Sequence, residues 1–199
     1  LIGTQMIAKG LDFPKLNFVG LVLADVGFHW PDLRASERSF QLLTQVAGRS
    51  GRQTAGRVLI QTYDPSHPSI TFTLKHDYHG FAENELQERS DLLYPPHWRM
   101  AMLRVQSLSE EGGSSVAAQL AHRAKARQTQ FKSYEQHIQV LGPATAPLHK
   151  LRNKFRYQVI VKCGSSQRLS KFCRQLIGDG SWIAQGTKVQ VDIDPFSMM

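Results

Sequence analysis

Phe18-Val19-Gly20-Leu21-Val22-Leu23-Ala24 is a continuous apolar run closed by Asp25. An unbroken apolar run, rather than an alternating one, is expected of a strand buried on both faces, as in a parallel sheet. Arg34 to Ala47 has helical spacing, with Phe40, Leu43, Val46 and Ala47 on one face and polar residues opposite. Gly56 to Tyr63 reads as a second strand, stopped by Asp64-Pro65. Strand, helix, strand places this part of the chain in the α/β class. Residues 67–77 and 79–93 read as two more helices, the second rich in Glu and Gln. Tyr94-Pro95-Pro96 breaks it, and the domain boundary is placed there, between 1–95 and 96–199.

The second half restarts as a different α+β unit. Met100 to Leu108, Ile138 to Leu141, Phe155 to Cys163 and Lys188 to Ile193 read as strands, and Val116 to Phe131 and Gln167 to Ile177 as helices. A Pro-rich connection follows Gly142-Pro143 as far as Pro147. The halves differ in charge. Residues 1–95 carry 9 Lys+Arg against 10 Asp+Glu, and residues 96–199 carry 15 against 6, so the net charge of +8 comes from the second half. That half is either a polyanion-binding surface or a solvated basic face.

No apolar run approaches the length of a membrane span, and Leu1-Ile2-Gly3-Thr4-Gln5-Met6 has no signal-peptide pattern. The apolar start without an initiator Met is read as that of a fragment. Cys163 and Cys173 are the only cysteines, too few for a structural zinc site by themselves, and no metal ligand set is assigned. Isolated thiols fit a reducing cytoplasm.

The segment most suggestive of chemistry is Gln45-Val46-Ala47-Gly48-Arg49-Ser50-Gly51-Arg52. Arg49 and Arg52 are three apart, so a helix or tight turn puts both guanidinium groups on one side. Their planar, always-charged forks suit a phosphoryl group in transfer. Gly48 and Gly51 leave room for a ligand or a facing lobe. A glycine-softened helix end with solvated arginines is the competing reading. No GxxxxGK[ST] loop occurs in the chain, so if these arginines meet phosphates the segment is one half of a nucleotide site.

Upstream lies Gly3-Thr4-Gln5-Met6-Ile7-Ala8-Lys9-Gly10-Leu11-Asp12-Phe13-Pro14. The two segments resemble motifs V and VI of superfamily 2 helicases. Pro31 to Arg38, Gln61 to Pro65, Tyr94-Pro95-Pro96, Leu141-Gly142-Pro143, Ala146-Pro147, Lys150 to Tyr157 and the ending Asp192-Ile193-Asp194-Pro195 stand in the order found in the bacterial primosomal replication-restart helicases, the primosomal protein N′ family. The resemblance covers essentially the whole chain, and Leu11 departs from the His of many relatives.

The resemblance implies part of a RecA-like second motor lobe followed by a small DNA-binding domain similar to ribosomal protein S10. It implies an ATP-dependent helicase moving 3′ to 5′, acting at stalled or branched forks and promoting primosome assembly. By position, Arg52 is the finger that meets ATP, Arg49 assists and Gln45 supports the site. Gly10, Asp12, Gly48 and Gly51 belong to the lobe interface, and Thr4 touches DNA. ATP and Mg²⁺ are bound mostly by segments outside this chain, and the zinc module lies upstream as well. Implied partners are forked or single-stranded DNA, other primosome proteins, single-stranded-DNA-binding protein and the helicase-loading machinery, in a bacterial, nucleoid-associated setting without a membrane. The isolated chain is expected to be inactive as an ATPase. A stand-alone DNA-binding or protein-docking module is the alternative.

In the basic half, Lys150, Arg152, Lys154 and Arg156 alternate over seven residues. An extended chain would point all four to one side, a row suited to a phosphate backbone. Trp98, Phe155 and Tyr157 are either base-stacking platforms or core. Asp192 and Asp194 are either a carboxylate pair or salt-bridge partners of the basic face. His76 and His79 are assigned to the surface. His29-Trp30-Pro31-Asp32 is a loop, either DNA-facing or packed. A lobe cut at Leu1 is expected to self-associate through exposed sheet.

Overall fold

The computed structural model describes residues 2–3, 17–48 and 56–198. The chain divides into two compact units, Leu1–Gln87 and Glu88–Met199.

In the first unit, β1 (Phe18–Leu21) pairs in parallel with β2 (Arg57–Ile60), Phe18 opposite Arg57 and Leu21 opposite Ile60. The crossover is α1 (Ala35–Ala47). β1 is shorter than the apolar run because Leu23 takes a left-handed conformation (φ 56°) and Ala24–Gly27 forms a 3₁₀ turn. Leu21 and Ile60 pack with Phe28, Leu43 and Ile70. The opposite face differs from the expectation of a strand buried on both sides: Phe18 is 56% and Leu59 61% exposed.

α2 (Pro68–Leu74) starts with proline in its first turn, where a missing N–H does no harm, and His67 Nδ1 accepts from the Ser69 N–H at 3.2 Å. α3 (Tyr78–Asp91) presents Phe81, stacked on Phe40 at 4.1 Å. It ends before the prolines: Leu93 is left-handed (φ 56°), and the Tyr94 N–H donates to the Arg89 carbonyl at 2.7 Å.

The second unit is a four-stranded antiparallel sheet in the order β4-β5-β3-β6. Its strands are β3 (Arg99–Ser107), β4 (Ile138–Leu151), β5 (Lys154–Cys163) and β6 (Thr187–Ile193). The helices α4 (Glu110–Gln130), α5 (Lys132–Glu135) and α6 (Ser166–Ile177) share one hydrophobic core with it. Alternation decides the faces. Ala101, Leu103 and Val105 of β3, and Tyr157, Val159, Val161 and Cys163 of β5, meet Val116, Leu120 and Ala124 of α4 and Leu169, Phe172 and Leu176 of α6. The fold is therefore α/β, with one parallel and one antiparallel sheet plus helices.

Two boundaries differ from the sequence reading for local reasons. α4 begins at Glu110, not Val116, because the Ser109 hydroxyl caps it by accepting from the Gly112 N–H at 3.1 Å. Gly113 inside the helix lets the Tyr157 ring approach: a Cβ there would lie 2.9 Å from Cε2 of the ring. The Pro-rich connection is part of β4, whose register shifts twice against β5. Gly142 is required there, with φ +100° and the Gln158 carbonyl 3.0 Å from any added Cβ.

Candidate nucleotide and nucleic-acid surfaces

Arg49, Gly51, Arg52, Gly10, Asp12 and Thr4 lie outside the described residues. Gln45 does not: it is exposed on the last turn of α1, and Gly48 caps that helix, its N–H donating to the Thr44 carbonyl.

The described feature of the first unit that most resembles a built site is Asp25, buried just past the C-terminal end of β1. Its Oδ1 accepts from the Thr62 hydroxyl at 2.6 Å and from the Tyr63 and Asp64 N–H groups at 3.1 Å. The Thr62 bond is the largest influence, and it holds the Asp25 carboxyl below its ordinary pKa. Asp25 thus ties the end of β1 to the segment after β2 with an ionised clasp. In open parallel sheets ligands bind beyond the C-terminal ends of the strands, and this clasp shapes that end. In the following loop, His29, Trp30 and Pro31 are exposed, and Asp32 is buried. Asp32 pairs with Arg38 at 3.1 Å and accepts from the Arg34 N–H at 3.0 Å. In the sequence Asp25 marks only the end of an apolar run, because a clasp to residues 37 to 39 positions away leaves no local signal.

In the second unit the row of four cations is broken. Arg152 (φ 50°) and Asn153 (φ 59°) form a two-residue hairpin turn, with Leu151 opposite Lys154 and Lys150 opposite Phe155. The cations therefore do not share one face of one extended strand. Lys150 lies on the Phe155 side, its Nζ 4.7 Å from that ring, and Lys154 lies on the other. Arg152 sits in the turn, and Arg156 is buried on the strand. Phe155 and Tyr157 belong to the core side. The Tyr157 hydroxyl donates to the Glu110 carbonyl at 3.2 Å and lies 3.4 Å from His149 Nε2.

On the sheet face away from the helices, Arg104 and Lys162 are held internally, whereas Lys154, Arg156 and Lys188 make no ion pair among the described residues. Arg104 pairs with Asp192 at 3.4 Å and donates to the Ser197 carbonyl, and Arg99 pairs with Asp194 at 3.0 Å. The two aspartates are thus salt-bridge partners. Lys162 is buried, its Nζ 3.0 Å from the Leu92 carbonyl and 3.7 Å from the Tyr94 ring centroid, and burial pushes its pKa down. This clamp puts the Tyr94-Pro95-Pro96 break inside the second unit. Burial, with the neighbouring Cys163 thiol, raises the Cys173 pKa to about 12, so the thiol stays protonated. Among the described residues no three His, Cys, Asp or Glu are grouped to hold a metal ion. No described helix is long and apolar enough to cross a membrane.

Residues 90–196, the second unit almost entire, match the family model described as the primosomal protein N C-terminal domain. The chain belongs to the primosomal protein N family. Similarity to named members of the family extends through the first unit as well. The replication restart protein PriA of Bacillus subtilis is 38% identical over 202 residues, covering 100% of this chain and 24% of that protein. The PriA of Synechocystis is 34% identical over 206 residues, covering 100% and 23%. That of Treponema pallidum is 36% identical over 200 residues, covering 100% and 29%. The chain thus spans about a quarter of the length of these family members. Among solved structures, a de novo designed protein, Foldit4, overlaps 49% of the chain at 11% identity with a TM-score of 0.37, too low to carry an argument about fold.

Proposed function

We propose that this chain is part of an ATP-dependent DNA helicase of replication restart. The first unit would be part of a RecA-like second motor lobe, and the second unit a DNA-binding domain similar to ribosomal protein S10. The observation that carries the reading is similarity to replication restart proteins along the entire chain, at 38% identity with that of Bacillus subtilis. A shared DNA-binding module alone would leave the first unit unmatched.

Within this reading Arg52 and Arg49 meet the ATP phosphates from the second lobe and stabilise charge in the transferred phosphoryl group. Gln45, exposed at the end of α1, would support that site. Gly48 and Gly51 permit the close approach of the facing lobe, while Gly10 and Asp12 relay nucleotide state and Thr4 contacts DNA. ATP and Mg²⁺ are held mainly by residues outside this chain, as is the zinc of the parent protein. Mg²⁺ would neutralise phosphate charge during transfer. Partners in this reading are forked or single-stranded DNA, other primosome proteins, single-stranded-DNA-binding protein and the helicase-loading machinery.

The test is unwinding by the whole parent protein on duplexes with a 3′ or a 5′ single-stranded tail. The reading expects ATP-dependent opening of the 3′-tailed duplex only. Equal opening of both, or none with either, contradicts it. A second reading, a binding module without motor function, is favoured by the compactness of the second unit and its charge. It expects fork binding by Glu88–Met199 equal to that of the whole chain.

A further inference from the structure

The outer surface of the second unit's helices carries a group of cations with few acidic neighbours among the described residues. No acidic residue occurs between positions 112 and 134, or between 164 and 178. These stretches include nearly all of α4 and the whole of α6. Gln175 of α6 joins the helices: its Oε1 accepts from Arg127 Nη1 of α4 at 3.2 Å and from the Tyr134 hydroxyl of α5 at 2.9 Å. The Gln175 side of α6 therefore faces α4 and α5. Helical spacing puts Arg168 and Lys171, seven and four residues before Gln175, on that same side. Arg123 and Arg127, four apart, share the facing side of α4. Arg123 lies 4.8 Å over the Trp182 ring, and Asp179 is the acidic group that feels its charge. Among the described residues Arg127, Arg168 and Lys171 make no ion pair.

On the sheet's other face Arg104 is committed to Asp192 and Lys162 to a backbone carbonyl. Lys154, Arg156 and Lys188 stand there without an ion pair among the described residues, on β5 and β6, either side of β3, whereas the seam gathers its cations along stretches of two facing helices that hold no acidic residue. From this clustering we infer that the seam between α4 and α6, lined by Arg123, Arg127, Arg168 and Lys171, is a docking surface for a nucleic-acid phosphate backbone. The inference rests on the reading that this protein binds DNA, and it moves the main contact from the β4–β5 hairpin to the helices. Three of the four cations are arginines, whose forked donors suit phosphate oxygens. Cations four apart on a helix repeat about every 6 Å along it, and neighbouring helix axes lie about 8–10 Å apart. The surface is therefore a two-row patch rather than a point site. An acidic protein partner fits less well, because no large hydrophobic residue of α4 or α6 is exposed to anchor one. Such contacts hold the backbone and read no base sequence.

The experiment is a salt titration of duplex DNA binding by the full chain. It compares the unmodified chain with a seam variant (Arg127→Gln, Arg168→Gln, Lys171→Gln), a single Lys171→Glu variant and a hairpin variant (Arg152→Gln, Lys154→Gln). Thermal unfolding checks that each is folded. Lys171→Glu changes an exposed side chain with no internal bond, and it keeps the test decisive if the triple variant fails to fold. The inference expects the seam variant to lose affinity about tenfold or more near 0.1 M salt. Its slope of log K against log salt should shrink by about 2.7, for three lost phosphate contacts. Lys171→Glu should weaken binding in the same direction, with the hairpin variant little changed. Unmodified binding alongside unaltered seam variants overturns the inference and leaves the DNA reading standing. No duplex binding by the unmodified chain overturns both. A poly-glutamate peptide that binds the unmodified chain and not the seam variant, with DNA affinity the same in both, assigns the seam to an acidic protein and also overturns it.

Discussion

Asp25 shows how one side chain organises the end of a sheet. Three donors from residues 62–64 converge on its carboxylate, which satisfies backbone groups that would otherwise be left open where β1 and β2 stop. Because hydrogen bonding to the charged form holds its folded pKa below the ordinary 3.8, this stabilisation is complete above about pH 4. It is lost as pH falls through the lower folded value. Asp25→Asn should therefore lower the unfolding temperature at neutral pH, and the difference from the unmodified chain should shrink below pH 4. Melting curves across pH 2–7 check this; a gap of constant size at every pH contradicts it. The sequence marked Asp25 only as the end of an apolar run. Its role depends on chain segments that meet through α1, which no local pattern encodes. Arg152 misled for a related reason. Alternating cations read as one strand, yet the turn falls on Arg-Asn without the glycine that normally signals a hairpin.

Among the elements, α4 carries two adjacent glycines with different roles. Gly112 has nothing closer than 3.4 Å to an added Cβ, while Gly113 has the Tyr157 ring at 2.9 Å. Gly112→Ala should be neutral or stabilising by up to about 1 kcal/mol through helix propensity. Gly113→Ala should destabilise by about 1–3 kcal/mol, since the ring is held by its bond to Glu110 and cannot withdraw freely. Urea unfolding of the pair separates the two; equal effects would contradict the packing argument. Lys162→Ala should cost about 1–3 kcal/mol by removing the donor to Leu92 and the contact with Tyr94. Unaltered urea stability in that variant would show the clamp to be idle. Most elements were legible: α1, α2, α3, β3, β5 and α6 fall within a few residues of where periodicity placed them. β4 was not, because Gly142-Pro143 and Pro147 read as breakers. On an edge strand with register shifts the missing N–H groups are tolerated.

For the molecule as a whole, the family was legible because its motifs run along the entire chain. The face left open beside β1 and β2 was not foreseen at strand level, although self-association was expected from a cut lobe. Phe18 and Leu59 remain exposed there, and parallel strands are ordinarily covered on both sides. The isolated chain should therefore associate, with light scattering giving a mass above that of a 22.4 kDa monomer. A monodisperse monomer contradicts this. The central claim, that Gln45 to Arg52 completes a nucleotide site whose other half lies elsewhere in the parent protein, is tested most directly by DNA-stimulated ATP hydrolysis. The rate is measured for this chain alone, for this chain combined with a separately made upstream half, and for that combination carrying Arg52→Ala. The account predicts no turnover by the chain alone, restored turnover in the combination, and a loss of about a thousandfold in the Arg52→Ala form. Turnover by the chain alone, or full turnover without Arg52, would contradict it.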